Sequence, residues 1–234
     1  MNSLLTRGVV VVAILVGIGL GYRACSSAKP PPNPFEKTSR AYDPYAAFVK
    51  RLAGNRDLAV KFNARMRAGV DPKTLGFEIA ENGIRRLDDA ALEQRMVFAL
   101  KLVENMDEAT CAALARPDAE RNRLLQPKIL KAIEQLPSKE IEEYLALVER
   151  AVVAELNGTA APRFSPGSAE PALRRLAEKF NDAERAVLLR VVNYPSLTTN
   201  ETSCWMVKTV FSEILALPAK DRRILARVFS EPAK

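Results

Sequence analysis

From residue 42 to the C-terminus the chain is cut into short stretches by helix start and stop signals. Between them apolar residues recur with a period near 3.6, and no stretch alternates with period two. Asp43-Pro44 places an acceptor before a proline suited to a first helical turn, and Gly54 stops that segment. Asn55 opens a second helix ending at Gly69, and Asp71-Pro72 opens a third that Gly83 closes. A longer helix runs from Asp88 or Asp89 to Glu104, with Leu92, Met96, Ala99, Leu100 and Val103 on one face. Asn105-x-x-Glu108 reads as a capping box for the next. Residues 118–136 follow, with Pro127 marking a break or kink, and Ser138 caps a helix to Leu156 that buries Ile141, Leu145, Val148 and Val152. Asn157-Gly158 ends it, residues 158–168 form a non-periodic loop, and helices are expected over 169–180, 182–193, 199–216 and 219–229. The pattern predicts an all-α fold of roughly ten helices, either a multi-helix bundle or a short solenoid-like stack.

A degenerate two-fold repeat is one reading of an internal echo. Asp89-Ala90 precedes Cys111 by 22 residues and Asp182-Ala183 precedes Cys204 by the same 22. In that register Asn105-x-x-Glu108 matches Thr198-x-x-Glu201, and Leu136-Pro137-Ser138-Lys139-Glu140 resembles Leu217-Pro218-Ala219-Lys220-Asp221. Residues 42–157 and 169–234 are then two helical halves of one globular domain.

The first 28 residues read differently. An uncharged apolar run covers Gly8 to Gly21, 14 residues, short for a bilayer core unless the flanks at 4–22 extend it. It fits a signal-anchor helix or a signal-peptide core, since small residues at Ala24, Ser26 and Ala28 offer cleavage points. Lipidation at Cys25 is a third option, disfavoured by Tyr22 and Arg23 just before it. Residues 29–41 begin with a run of prolines and read as a stiff spacer. The expected location is the inner membrane, single-pass through residues 4–22, with the C-terminal domain in the periplasm. A soluble periplasmic form after cleavage is the alternative.

Composition then removes chemistry. The chain has no histidine, which excludes Ser-His and Cys-His nucleophile pairs, and its three cysteines cannot build a four-Cys metal site. No metal and no cofactor are expected. Outside the leader only Cys111 and Cys204 remain, and in an oxidising compartment they are expected to form a disulfide. Glu108 and Glu201 are the best available acids, but each is explained as the third residue of a capped helix. Trp205, the single tryptophan, reads as core filler.

Charge is the remaining signal. The chain carries 35 basic against 28 acidic side chains. Lys50, Arg51, Arg56, Lys61, Arg65, Arg67 and Lys73 meet only Asp57 and Asp71 over residues 50–73. Lys50, Arg51, Arg56, Lys61, Arg65 and Arg67 are thus the candidate anionic-surface site, positioned after the spacer to meet acidic headgroups. Glu134, Glu140, Glu142, Glu143 and Glu149, with Lys131, Lys139 and Arg150 between them, read as an ordinary charged surface. No nucleic-acid motif is present and none is expected as a partner. The expectation is a membrane-tethered cell-envelope module that binds a protein partner without catalysis. Two readings compete with it: a peptidoglycan-acting enzyme using Glu108 or Glu201, and an envelope immunity or inhibitor protein.

Overall fold

A computed structural model describes residues 33–66, 72–115, 119–162 and 165–231, and among them it places eleven α-helices and no strand. In chain order these are α1 (Tyr42–Gly54), α2 (Arg56–Met66), α3 (Pro72–Ile84), α4 (Asp89–Glu104), α5 (Glu108–Leu114) and α6 (Ala119–Glu134). They continue as α7 (Ser138–Leu156), α8 (Glu170–Glu178), α9 (Asp182–Asn193), α10 (Asn200–Leu215) and α11 (Ala219–Val228). Short 3-10 turns stand at Pro166–Ala169 and Pro195–Leu197. The protein is all-α.

The helices group into two units that interleave along the chain. The first takes the described residues up to Leu87 together with 133–162; the second takes 88–132 and the described residues from 165 on.

In the first unit α7 is central, packing against α1, α2 and most extensively α3. The apolar period of α7 explains this: Ile141, Leu145, Val148 and Val152 are all buried, as that period predicts, and Tyr144, Leu147 and Ala151 widen the buried sector. Tyr45, Phe48 and Leu52 of α1 and Leu58 and Phe62 of α2 supply the facing side chains. Packing begins before α1, because Phe35 is buried with its ring edge-on to Tyr45 at 5.7 Å. Asn33 assists, its amide donating to the Tyr42 carbonyl at 2.9 Å and its Oδ1 accepting from the Phe35 N–H at 3.0 Å.

In the second unit α4 packs against both α10 and α11, and α10 against α5. Two neighbours require a wider buried sector than one face supplies. Leu92, Met96 and Val103 are buried as expected, Ala99 and Leu100 are only half-buried, and Ala91, Arg95, Phe98 and Leu102 are buried instead.

Several helix boundaries differ from the sequence expectation, each for a local reason. Gly83 lies inside α3 and ends nothing, because its missing side chain admits the α7 backbone. Asn105 is the C-cap of α4, its amide donating to the Lys101 carbonyl at 3.1 Å, so it is not free to cap α5. Asp107 takes that role and accepts from the Thr110 N–H at 2.8 Å. Likewise Thr199 caps α10 in place of Thr198, whose hydroxyl is bonded to the Pro195 carbonyl and the Ser203 hydroxyl. α1 begins at Tyr42 from Ala41, with Asp43 and Pro44 already inside its first turn. Ser138 is the first residue of α7 and its hydroxyl faces the Arg40 carbonyl. α6 runs through Pro127 as one helix, the proline lacking only the one N–H that would bond within it. Asn181 and Glu184 form a full capping box at the start of α9. Gly69, Asp71 and the leader lie outside the described residues.

Candidate functional site

The basic residues singled out from the sequence divide once their neighbours are placed. Arg51 Nε meets Glu149 Oε2 at 2.7 Å, Lys61 Nζ donates to Asn157 Oδ1 at 2.7 Å, and Arg65 Nη1 meets Glu155 Oε1 at 2.9 Å. All three acceptors belong to α7 or the residue after it, so part of the basic run and part of the acidic run neutralise each other within the first unit. Lys50 and Arg56 are exposed and make no ion pair among the described residues, and Arg67 lies outside them.

Glu155 is the residue the sequence reading missed. Its side chain is only 6% exposed, yet it sits on a helix whose other acids face solvent. Arg86 Nε approaches Glu155 Oε2 at 2.5 Å, and the Arg86 guanidinium also donates to the Thr159 carbonyl. Burial pushes the Glu155 carboxyl up, but the hydrogen bonds and charges of Arg65 and Arg86 together outweigh it and hold the group below its ordinary range. Three cations from α2 and from just beyond α3 thus converge on the C-terminal end of α7, where the helix dipole also favours positive charge. The apolar period of α7 offered a signal: position 155 follows Val148 and Val152 on the same stripe.

In the second unit Glu108 and Glu201 are exposed residues in the first turns of α5 and α10. Their own helix caps are Asp107 and Thr199, so neither serves as the third residue of a capping box. The sulfurs of Cys111 and Cys204 stand 2.11 Å apart, at disulfide distance, with Cα atoms at 5.1 Å. Both cysteines belong to the second unit, where the pair ties α5 to α10. Arginines fasten the rest of that unit. Arg175 grips Asp221 through two bonds of 2.6 and 2.5 Å, and its hydrogen bonds hold that carboxyl below the usual range. Arg227 reaches Asp89 at 2.6 Å, and Arg222 reaches Glu93 at 2.6 Å.

One surface is not explained by packing. Leu189, Tyr194, Leu197 and Trp205 are 51, 59, 66 and 39% exposed, and they fall within 17 residues of each other along α9, the Pro195–Leu197 turn and the start of α10. Val60 and Val97, the other large exposed apolar side chains among the described residues, stand singly, as is ordinary. The cluster continues onto α9, where Val191 alone is buried and Val187, Leu188 and Val192 are half-covered. Trp205 is therefore not core filler: Cys204 and Met206 point inward on either side of it and turn it outward. A compact apolar and aromatic group left open on a helical surface marks a binding site.

Among the described residues no group of acidic or cysteine side chains is arranged to hold a metal ion. No helix among them is long and apolar enough to cross a membrane, and the span expected over residues 4–22 lies outside them, as does Cys25. No family model, curated protein or solved structure matches this chain.

Proposed function

We propose that this protein is a helical binding module of the bacterial cell envelope, tethered to the inner membrane by its N-terminal apolar segment and without catalytic activity. The observation that carries the reading is the exposed cluster of Leu189, Tyr194, Leu197 and Trp205 on the second unit. Apolar and aromatic side chains grouped in this way anchor protein partners, with Trp and Tyr supplying large contact area at small entropic cost. The internal ion pairing of Arg51 and Arg65 supports a protein partner over an acidic one, since it withdraws charge from the basic surface. The apolar run Gly8–Gly21 and the prolines after it support the tether.

A photo-crosslinking side chain at position 197 in the full-length chain, irradiated in intact cells, tests the reading. A discrete protein adduct from 197, absent when the crosslinker stands at exposed position 142, is the expected result. Recovery of the chain in the soluble fraction after cell breakage, or no adduct from either 197 or 194, would overturn the tether or the module respectively.

A further inference from the structure

The helix that carries Trp205 presents charges of opposite sign on either side of it. Glu201, Trp205 and Lys208 are spaced i, i+4, i+7, which places them in one stripe on the face of α10. Glu201 and Trp205 are exposed and Lys208 is half-exposed; neither charged residue makes an ion pair among the described residues. At 1.5 Å rise per residue the two charges are about 10 Å apart along the helix, with the indole near their midpoint.

A stripe reading negative, aromatic, positive is its own complement when reversed. Laid antiparallel against a second copy about a two-fold axis through Trp205, Glu201 meets Lys208 of the second copy, and Lys208 meets its Glu201. The two indoles meet at the centre. This is the condition for an isologous interface, in which each residue's contact is returned by symmetry. Leu197 and Tyr194 immediately precede α10 and Leu189 lies on neighbouring α9, so they extend the apolar centre beyond the indole. We infer that the occupant of this surface is a second copy of the same chain, docked antiparallel through α10. The inference rests on the binding-module reading and names its partner. A shared membrane would favour it, since tethering confines copies to one surface and raises their effective concentration.

Sedimentation velocity of the full-length chain in mild detergent, from low micromolar to about 100 µM, tests it together with a charge swap. The wild type is expected to pass from monomer to dimer over that range. Glu201→Lys and Lys208→Glu each set like charges face to face twice per dimer, and each is expected to weaken the dimer about tenfold, as exposed pairs do when attraction becomes repulsion. The double variant Glu201→Lys/Lys208→Glu restores both pairs and is expected to return to within about threefold of the wild type. All positions are surface sites, and unchanged helical circular dichroism confirms folding. A double variant as weak as the singles would overturn the antiparallel docking. A monomeric wild type whose position-197 crosslinker captures a different polypeptide would overturn the second copy and leave the binding module standing. A monomer with no adduct would overturn both.

Discussion

The Cβ that Gly83 lacks would stand 2.0 Å from the carbonyl oxygen of Ala151 and 2.5 Å from its carbonyl carbon. The obstructing atoms are backbone, so no rotamer change relieves the contact. In an exposed helix a Gly to Ala change adds about 1 kcal/mol of stability. Here Gly83→Ala is expected to cost about 3 kcal/mol or more by forcing α3 away from α7. Urea denaturation followed by circular dichroism gives the sign, and a stabilised variant would refute the close approach.

A second prediction concerns where α5 begins. Asp107 accepts from the Thr110 N–H at 2.8 Å and from its hydroxyl at 2.7 Å, and these bonds hold its carboxyl below the ordinary range. Asp107→Ala is expected to lower stability by about 1 kcal/mol, while Asn105→Ala costs under about 0.5 kcal/mol. Thermal unfolding of the two variants side by side distinguishes the caps. Equal losses would return Asn105 to the role that the sequence spacing assigns it.

A third follows from the Cys111–Cys204 pair, whose residues are 0 and 3% exposed and 93 apart in sequence. Closing so long a loop in the unfolded chain is worth about 4–5 kcal/mol in the entropic account. The double variant Cys111→Ser/Cys204→Ser is expected to lose up to that amount. In the native protein neither thiol should be alkylated after treatment with reductant unless denaturant is added, because no sulfur is open to attack. Two thiols alkylated without reduction in exported protein would refute the bridge.

The helices were legible because each carries its own period and its own polar start within a few residues. α7 shows this best, with Ile141, Leu145, Val148 and Val152 all buried. What local pattern could not show is competition between neighbouring elements for the same residue. Asn105 is a good cap in isolation and is consumed by the helix before it. Gly83 resembles a stop signal, but its role depends on Ala151, 68 residues away. The exposed cluster was hidden for the same reason. Leu189, Leu197 and Trp205 are ordinary core residues by type, and only the absence of a described helix over α9 turns them into a surface. The interleaving of the two units has no local signature either, since it is set by which distant helices meet.

The last prediction takes Glu155 as a titrating support of the first unit. Its folded carboxyl is depressed by Arg65 and Arg86 against the opposing effect of burial. A group depressed in the folded state contributes stability in full above its unfolded value, near 4.5, and loses that contribution as pH falls through the lower folded value. Arg65 and Arg86 are 42 and 26% exposed, so solvent screens them and the cost of Glu155→Gln at pH 7 is expected to be about 1–2 kcal/mol, below that of a fully buried pair. The stability gap between wild type and Glu155→Gln should stay constant from pH 7 to about 5 and narrow below it, because the protonated glutamic acid and the glutamine then resemble each other. Urea denaturation of both proteins from pH 7 to 3 measures that gap. A gap that stays constant to pH 3 would place the stabilisation in packing, whereas narrowing places it in charge, as the two guanidinium contacts require.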